Sequence, residues 1–509
     1  MSSIKKLAGQ TAIYGLSTIV GRFLNIFLTF WLTYVYGAEQ FAVFSLAYAY
    51  VTFLNVMYTY GMETAFFRFA QRPEYQEDVF PTAFISILFT TILFTTGLLS
   101  YTPQLAQLWQ EPKHPEYVVW FALIIGFDTL SAIPFAQLRQ QGRPIKYAAI
   151  KITGIVIQVA ITYFFISIAP QLLKKNPNSI WVILYKPAIG IGYAFLANLI
   201  ASAVTLLLLG KEILSIRLRF NFRLWKEMLA YSWPLVIVGL GGMVNEVLNR
   251  IMLDHRLPHS FSRNRREIGI FNANIKVAAL VNIFIQVFRM GAEPFFFNEA
   301  GKQDARRTYA RVMKIFVVIS CLVFLVVSLF AHTIWGRYFI GVDKHPEYAQ
   351  GWDVIPIMAL AYIFLGIYYN LTVWYKLTNK TLYGAYITVA GAVLTVALNY
   401  ISIPYIGYWG AAWTTLLCYG FMMWMSYTQG QKHYPIPYAK NKLMGYVVLA
   451  VLAYLVYYAV YRISDYWWLH LFTAVVVFVG YLVFLLRTER KELSRVPLLN
   501  KLYTATAAA

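Results

Sequence analysis

Charge is scarce in this 509-residue sequence: Asp, Glu, Lys and Arg together make up 13%, about half the share of an ordinary soluble domain. That excludes a soluble globular chain. Cysteine is rarer still, with only Cys321 and Cys418, both inside apolar stretches, so there is no disulfide framework to read. The seven histidines are scattered. Only His255 and His259 share a helical spacing, and Pro258 between them argues against a metal-binding helix. No Asp-x-Asp occurs, no Ser-His-Asp or Cys-His motif assembles, and the segments between apolar runs are too short to hold a catalytic domain.

What is present is hydrophobic: 59% of residues, with aromatics at 18%. The apolar residues come in runs of about twenty, the length that crosses a bilayer core of about 30 Å. Windows fall at 7–36, 40–67, 80–101, 117–138, 147–169, 187–209, 229–253, 268–297, 315–335, 354–375, 382–402, 408–428, 443–461 and 466–486. All are expected to be helices, because helices satisfy every backbone polar group in lipid. The opening MSSIKK leads into a run too long for a signal-peptide core, so it reads as a retained first span. The net charge of +21 does not call for nucleic acid. Its basic residues sit in short loops such as 210–228 (Lys211, Arg217, Arg219, Arg223, Lys226) and 298–314 (Lys302, Arg306, Arg307, Arg311, Lys314), which predicts both termini in the cytoplasm. One loop dissents: HRLPHSFSRNRRE, 255–267, is assigned outside yet carries Arg256, Arg263, Arg265 and Arg266. A shifted boundary, a solvated loop and a basic lip for an anionic headgroup all fit it.

The chain is written twice. YTYGMETAFF at 58–67 lies on FRMGAEPFFF at 288–297 at a constant offset, matching Gly61 to Gly291, Glu63 to Glu293, Phe66 to Phe296 and Phe67 to Phe297. VGRFLNIFL at 20–28 lies on VNEVLNRIM at 244–252, and QGRPIKYAAIKITG at 141–154 on TNKTLYGAYITVAG at 378–391. Three matches in one order indicate duplication. An even number of spans separates the copies, so they run in the same direction and predict two pseudo-symmetric six-helix lobes around a mid-membrane site. The expected division is 1–228 for the first lobe, 229–440 for the second, and 441–509 for two further spans and a cytoplasmic tail.

The series KKLAGQTAIYGLSTIVGRFLNIFLTFWLTYVYGAEQFAVF, then LRQQGRPIKYAAI, then GYWGAAWTTLLC, resembles the oligosaccharide-flippase branch of the multidrug/oligosaccharidyl-lipid/polysaccharide (MOP) exporter superfamily, above all O-antigen and capsule-type flippases. The resemblance covers about residues 5–430. It implies an all-α polytopic membrane protein of about fourteen transmembrane helices. Its substrate would be a polyprenyl-pyrophosphate-linked oligosaccharide, turned from the cytoplasmic to the outer leaflet of the bacterial inner membrane by alternating access. Membrane lipid and the glycan carrier are the implied partners, with no nucleic acid and no cofactor. A lipid II-type flippase, a cation-coupled multidrug exporter of the same superfamily and a membrane glycosyltransferase or polymerase are the alternatives.

Charges inside spans each cost about 2.5–3.5 kcal/mol at mid-bilayer, so depth decides which need explaining. The resemblance implies a cationic cavity lined from the first, second, seventh and eighth spans. The matching positions are Arg22, Arg250, Lys276 and Arg289; the second span departs, offering Glu63, with Arg68 only at its end. Two roles stay open for Arg22: a buried pair with Asp128, or a bidentate contact to pyrophosphate, for which a guanidinium is suited. Arg22 and Glu246 hold matched positions with opposite charge and would attract across the pseudo-twofold axis. Arg289 and Glu293 are four apart on one helical face. Glu63 and Glu293 are expected to close an inner gate through Arg68 and Arg289. Asp128, Glu63 and Glu246 are the candidates to carry a coupling Na⁺ or H⁺, and Lys151, a turn inside its span, is expected to snorkel to the surface.

Overall fold

The computed structural model describes residues 2–109, 111–175, 185–216, 219–300, 302–378 and 380–489. Among them there is no β-strand, and every expected window falls on helix. Among the described residues eleven helical segments are long and apolar enough to cross a membrane, and two apolar segments, Ile19–Val35 and Gly192–Leu208, are shorter. This is a helical multi-pass membrane protein. The chain forms two compact units: residues 1–272 with 392–411, and residues 273–391 with 412–509.

The first unit contains α1 (Ser2–Val35), α2 (Ala38–Thr59), α3 (Met62–Phe69), α4 (Val79–Ser100), α5 (Pro115–Gln140), α6 (Pro144–Tyr163), α7 (Gly192–Leu208) and α8 (Phe222–Arg256). Pro115 and Pro144 open their helices where a missing N–H costs nothing. Asn221 caps α8: its Oδ1 accepts from the Leu224 N–H at 3.0 Å while its Nδ2 donates to Asp78 at 2.9 Å, so the cap also pins α8 to the start of α4. α6 and α7 approach closely at Gly154, where a Cβ would fall 2.6 Å from the Thr205 hydroxyl. Small residues let membrane helices meet this way.

The second expected span is not one helix. α2 ends and α3 begins across Tyr60 and Gly61, both left-handed with φ of 31° and 71°. Gly61 suits that conformation, and a Cβ there would sit 3.2 Å from the Ser232 carbonyl of α8. Tyr60 is held by a 2.7 Å hydrogen bond between its hydroxyl and Ser86. Met62, Ala65, Phe66 and Phe69 then bury the far face of α3 against Phe80, Phe84 and Met228. The repeat partner of this break, Gly291, lies within an unbroken helix, α9 (Phe261–Glu299).

The basic loop 255–267 is resolved as a boundary shift. α8 runs to Arg256 and α9 starts at Phe261, so most of the arginines lie in the opening turns of a helix. Arg265 is 1% exposed; it donates to the Trp109 carbonyl and lies 3.8 Å from Asp254. His255 meets the Tyr50 hydroxyl at 3.2 Å and His259 lies 3.6 Å from Glu267, which separates the two histidines onto different partners.

In the second unit, α10 (Ala305–Leu329), α11 (Val354–Leu371), α14 (Lys440–Ile463) and α15 (Trp467–Thr488) pack together, between parts of α12 (Leu382–Ile406) and α13 (Tyr408–His433). Cys321 and Cys418 are buried and neither forms a disulfide. The α14–α15 pair is fastened at one end by Glu489, whose carboxylate accepts from Lys314 at 3.0 Å, from Lys442 and from the Tyr446 hydroxyl. At the other end Asp353 accepts from the Tyr458 hydroxyl at 3.0 Å and lies 3.3 Å from His332, whose ring stacks on Tyr461.

Candidate functional site: a polar cavity in the first unit

The first unit carries an open cavity of about 730 Å³. α1 contributes Gly21, Arg22 and Asn25, α2 Asn55 and Thr59, and α3 Glu63; α5 contributes Asp128, Ser131, Phe135 and Arg139. Tyr147, Lys151, Gly154 and Gln158 come from α6, and Asn198, Ser202 and Thr205 from α7. Arg22 is exposed to this space. Asp128 lies beside the Ser202 hydroxyl and in the field of the Lys151 ammonium. Asn198 donates to the Tyr48 hydroxyl at 2.8 Å, which fixes its amide.

At the α3 side of the cavity Glu63 ion-pairs with Arg139. The Arg139 guanidinium sits 4.8 Å from the Phe67 ring centroid and 5.9 Å from that of Tyr147. Lys151 lies 5.4 Å from the Tyr147 centroid and 5.7 Å from Phe135. The lining thus combines three cations, two carboxylates, amides, hydroxyls and two rings. Such a wall holds an anion by charge-assisted hydrogen bonds and offers donors and acceptors to a hydroxyl-rich molecule. Among the described residues no three His, Cys, Asp or Glu side chains gather into a metal cluster.

The family model for polysaccharide biosynthesis proteins matches residues 7–298. The chain belongs to that family. A second model, MatE, matches residues 265–401. No curated protein matches the chain in sequence, but solved structures share its fold. The lipid II flippase MurJ in an inward closed conformation superposes with a TM-score of 0.70 at 13% identity, covering 94% of this chain and 99% of that one. A multidrug resistance MATE family transporter of the MOP superfamily, inward-facing, gives 0.62 at 12% identity over 83% and 97%. A Vibrio cholerae MATE transporter in its bent form gives 0.54 at 13% over 84% and 96%. Its fold is the one these MOP-superfamily transporters and the flippase share.

Within this polysaccharide-family protein, Arg22, Glu63 and Asp128 come together in the one cavity as candidate residues from three different helices. Asp128 has the Ser202 hydroxyl and the Lys151 ammonium beside it. Glu246 is exposed and has no ion pair among the described residues, so the attraction to Arg22 is absent here. Arg250 is half-buried on α8; neither it nor Glu246 is among the cavity-lining residues. Lys276 and Arg289 belong to the second unit. Arg289 lies 4.6 Å over the Tyr369 ring beside a narrow cleft of about 20 Å³ that also contains Lys376 and Asn370. The Glu293 side chain lies outside the described residues.

Two cavity cations were not in the expected set. Lys151 does not simply snorkel: it faces the cavity beside Tyr147. Its depth, a turn inside the span, gave the wrong reading because an internal polar space reaches it. Arg139 lies one residue beyond the 117–138 window, and α5 continues through it to Gln140. Arg68, expected to hold Glu63, is instead stacked on Tyr231 at 4.3 Å. On an eight-residue helix, positions five apart point to different sides, and Arg139 reaches Glu63 from α5.

Proposed function

We propose that this transporter carries a polyprenyl-pyrophosphate-linked oligosaccharide from the cytoplasmic to the outer leaflet of the bacterial inner membrane. The observation that carries the reading is the cavity: Arg22, Lys151 and Arg139 supply charge for a diphosphate, while Asn25, Asn55, Asn198 and Gln158 supply hydrogen bonds for sugar hydroxyls. The family model's description supports a polysaccharide pathway. An organic-cation exporter would be served by a wall in which carboxylates outnumber cations, the reverse of this one. The lobes 1–228 and 229–440, with 441–509 as an appended pair of helices and tail, would alternate access, with both termini cytoplasmic.

Voltage supplies direction. An interior-negative 100 mV contributes about 2.3 kcal/mol per charge moved, so a diphosphate leaves the cytoplasm downhill. Asp128, lining the cavity beside Ser202 and near Lys151, is the carboxylate placed to take a coupling H⁺ or Na⁺. The test is a proteoliposome assay with a short polyprenyl-pyrophosphate disaccharide: flipping by the full chain, lost in Arg22→Gln and Lys151→Gln, supports the reading. Efflux of organic cations with no glycan flipping overturns it. Flipping of lipid II in preference to other diphosphate-linked glycans assigns the protein to the lipid II type instead.

A further inference from the structure

The Glu63–Arg139 ion pair holds one of the cavity's cations away from an anionic guest. Glu63 cannot follow its partner. It is the second residue of α3, whose opposite face is buried through Met62, Ala65, Phe66 and Phe69, and whose start is fixed by the left-handed Tyr60–Gly61 break. Arg139 stands near the last turn of α5 on a longer side chain, its guanidinium beside the rings of Phe67 and Tyr147. The side chains are 33% and 41% exposed for Arg139 and Glu63. A pair so wet is weak and exchangeable.

We propose that Arg139 is a diphosphate contact that exchanges between substrate and Glu63, and that Glu63 is the residue that lets the substrate leave. This rests on the diphosphate reading of the cavity. An arriving diphosphate, with more charge and more acceptor oxygens than one carboxylate, takes the guanidinium in bidentate fashion. When the substrate departs, Glu63, waiting at a fixed place, recaptures it. A transport site must bind well enough to load and weakly enough to unload, and an internal competitor sets that balance without altering the cations themselves.

The experiment measures inorganic pyrophosphate binding to the full chain in detergent, alongside flipping of the short-chain disaccharide carrier in proteoliposomes. Glu63→Gln tightens pyrophosphate binding up to about fivefold and slows flipping under saturating substrate. Arg139→Gln weakens binding about fivefold. In the Arg139→Gln background, Glu63→Gln has no further effect, a non-additivity that general electrostatic repulsion would not produce. Glu63→Asp, which keeps the charge on a shorter stem, gives a smaller tightening and serves if the Gln variant does not fold. Unchanged or weaker binding in both Glu63 variants overturns the proposal, as does a tightening that persists without Arg139. If Arg22→Gln and Lys151→Gln also leave pyrophosphate binding untouched, the diphosphate reading itself fails; if they abolish it while Glu63 is silent, only the exchange does.

Discussion

At the residue scale, depth along a span was a good guide to Arg22 and Asp128 and a poor one to Lys151 and Arg139. An ionisable group near mid-membrane must face polar surroundings, and both mid-span residues do. Near a helix end the same logic permits either bilayer surface or an internal cavity, and sequence has no way to choose. Only the packing of α5, α6 and α7 turns Lys151 inward. The consequence is measurable. Lys151→Gln, made alone, lowers pyrophosphate affinity about tenfold, as expected for one charge-assisted hydrogen bond, whereas Arg311→Gln in the opening turns of α10 leaves it unchanged. Equal losses from both would mean that diffuse positive charge, not the cavity, draws the anion. Arg265 marks the opposite error. A cluster of arginines reads as solvated, yet one is sealed between Asp254 and the Trp109 carbonyl because helix α9 begins earlier than its apolar window.

At the scale of elements, the existence of the helices was legible and their interruptions were not. Hydropathy averages over a window and passes straight across Tyr60–Gly61, where two left-handed residues divide α2 from α3. A glycine followed by Met-Glu gives no separate signal, and the matched Gly291 lies in continuous helix. Because Gly61 also packs on Ser232, Gly61→Ala pays both a left-handed backbone cost of about 1 kcal/mol and a tight contact. A fall in the melting temperature of the purified protein checks this, with Gly291→Ala as the control that leaves it unchanged.

The appended α14–α15 pair depends on Glu489 in a comparable way. Burial opposes its charge, but hydrogen bonds from Lys442, Tyr446 and Lys314 win and hold its carboxyl below the usual range. Its stabilising contribution is therefore complete above the unfolded carboxyl value of about 4.3 and disappears as pH falls through the lower folded value. Melting temperatures between pH 8 and 5 should not change on its account. Glu489→Gln, by removing the charge that Lys314, Lys442 and Tyr446 share, costs about 3 kcal/mol across that whole range, and thermal unfolding of the pair would read it.

At the scale of the whole molecule, the duplicated sequence predicts symmetry and the described sites depart from it. Arg22 answers Glu246, Lys151 answers Thr388, and Glu63 follows a broken helix where Glu293 lies in a continuous one. The repeat is visible at Gly61 and Gly291, at Glu63 and Glu293 and in the paired phenylalanines, while the other charged positions have diverged. With three cations against two carboxylates lining the cavity of the first unit, the proposed diphosphate substrate would be only partly neutralised, and net negative charge would cross the membrane with it. Moving one uncompensated charge through 100 mV is worth about 2.3 kcal/mol, or roughly fiftyfold in an equilibrium ratio. Proteoliposomes clamped at interior-negative potential should therefore move the glycan carrier outward, those clamped at zero should merely equilibrate it, and reversal of the potential should reverse the net flux. Asp128→Asn keeps this voltage response and loses any stimulation by an ion gradient. A flux indifferent to voltage in both proteins would mean that the substrate's charge is wholly matched by moving protein charge, and that Asp128 and the cavity cations travel with it.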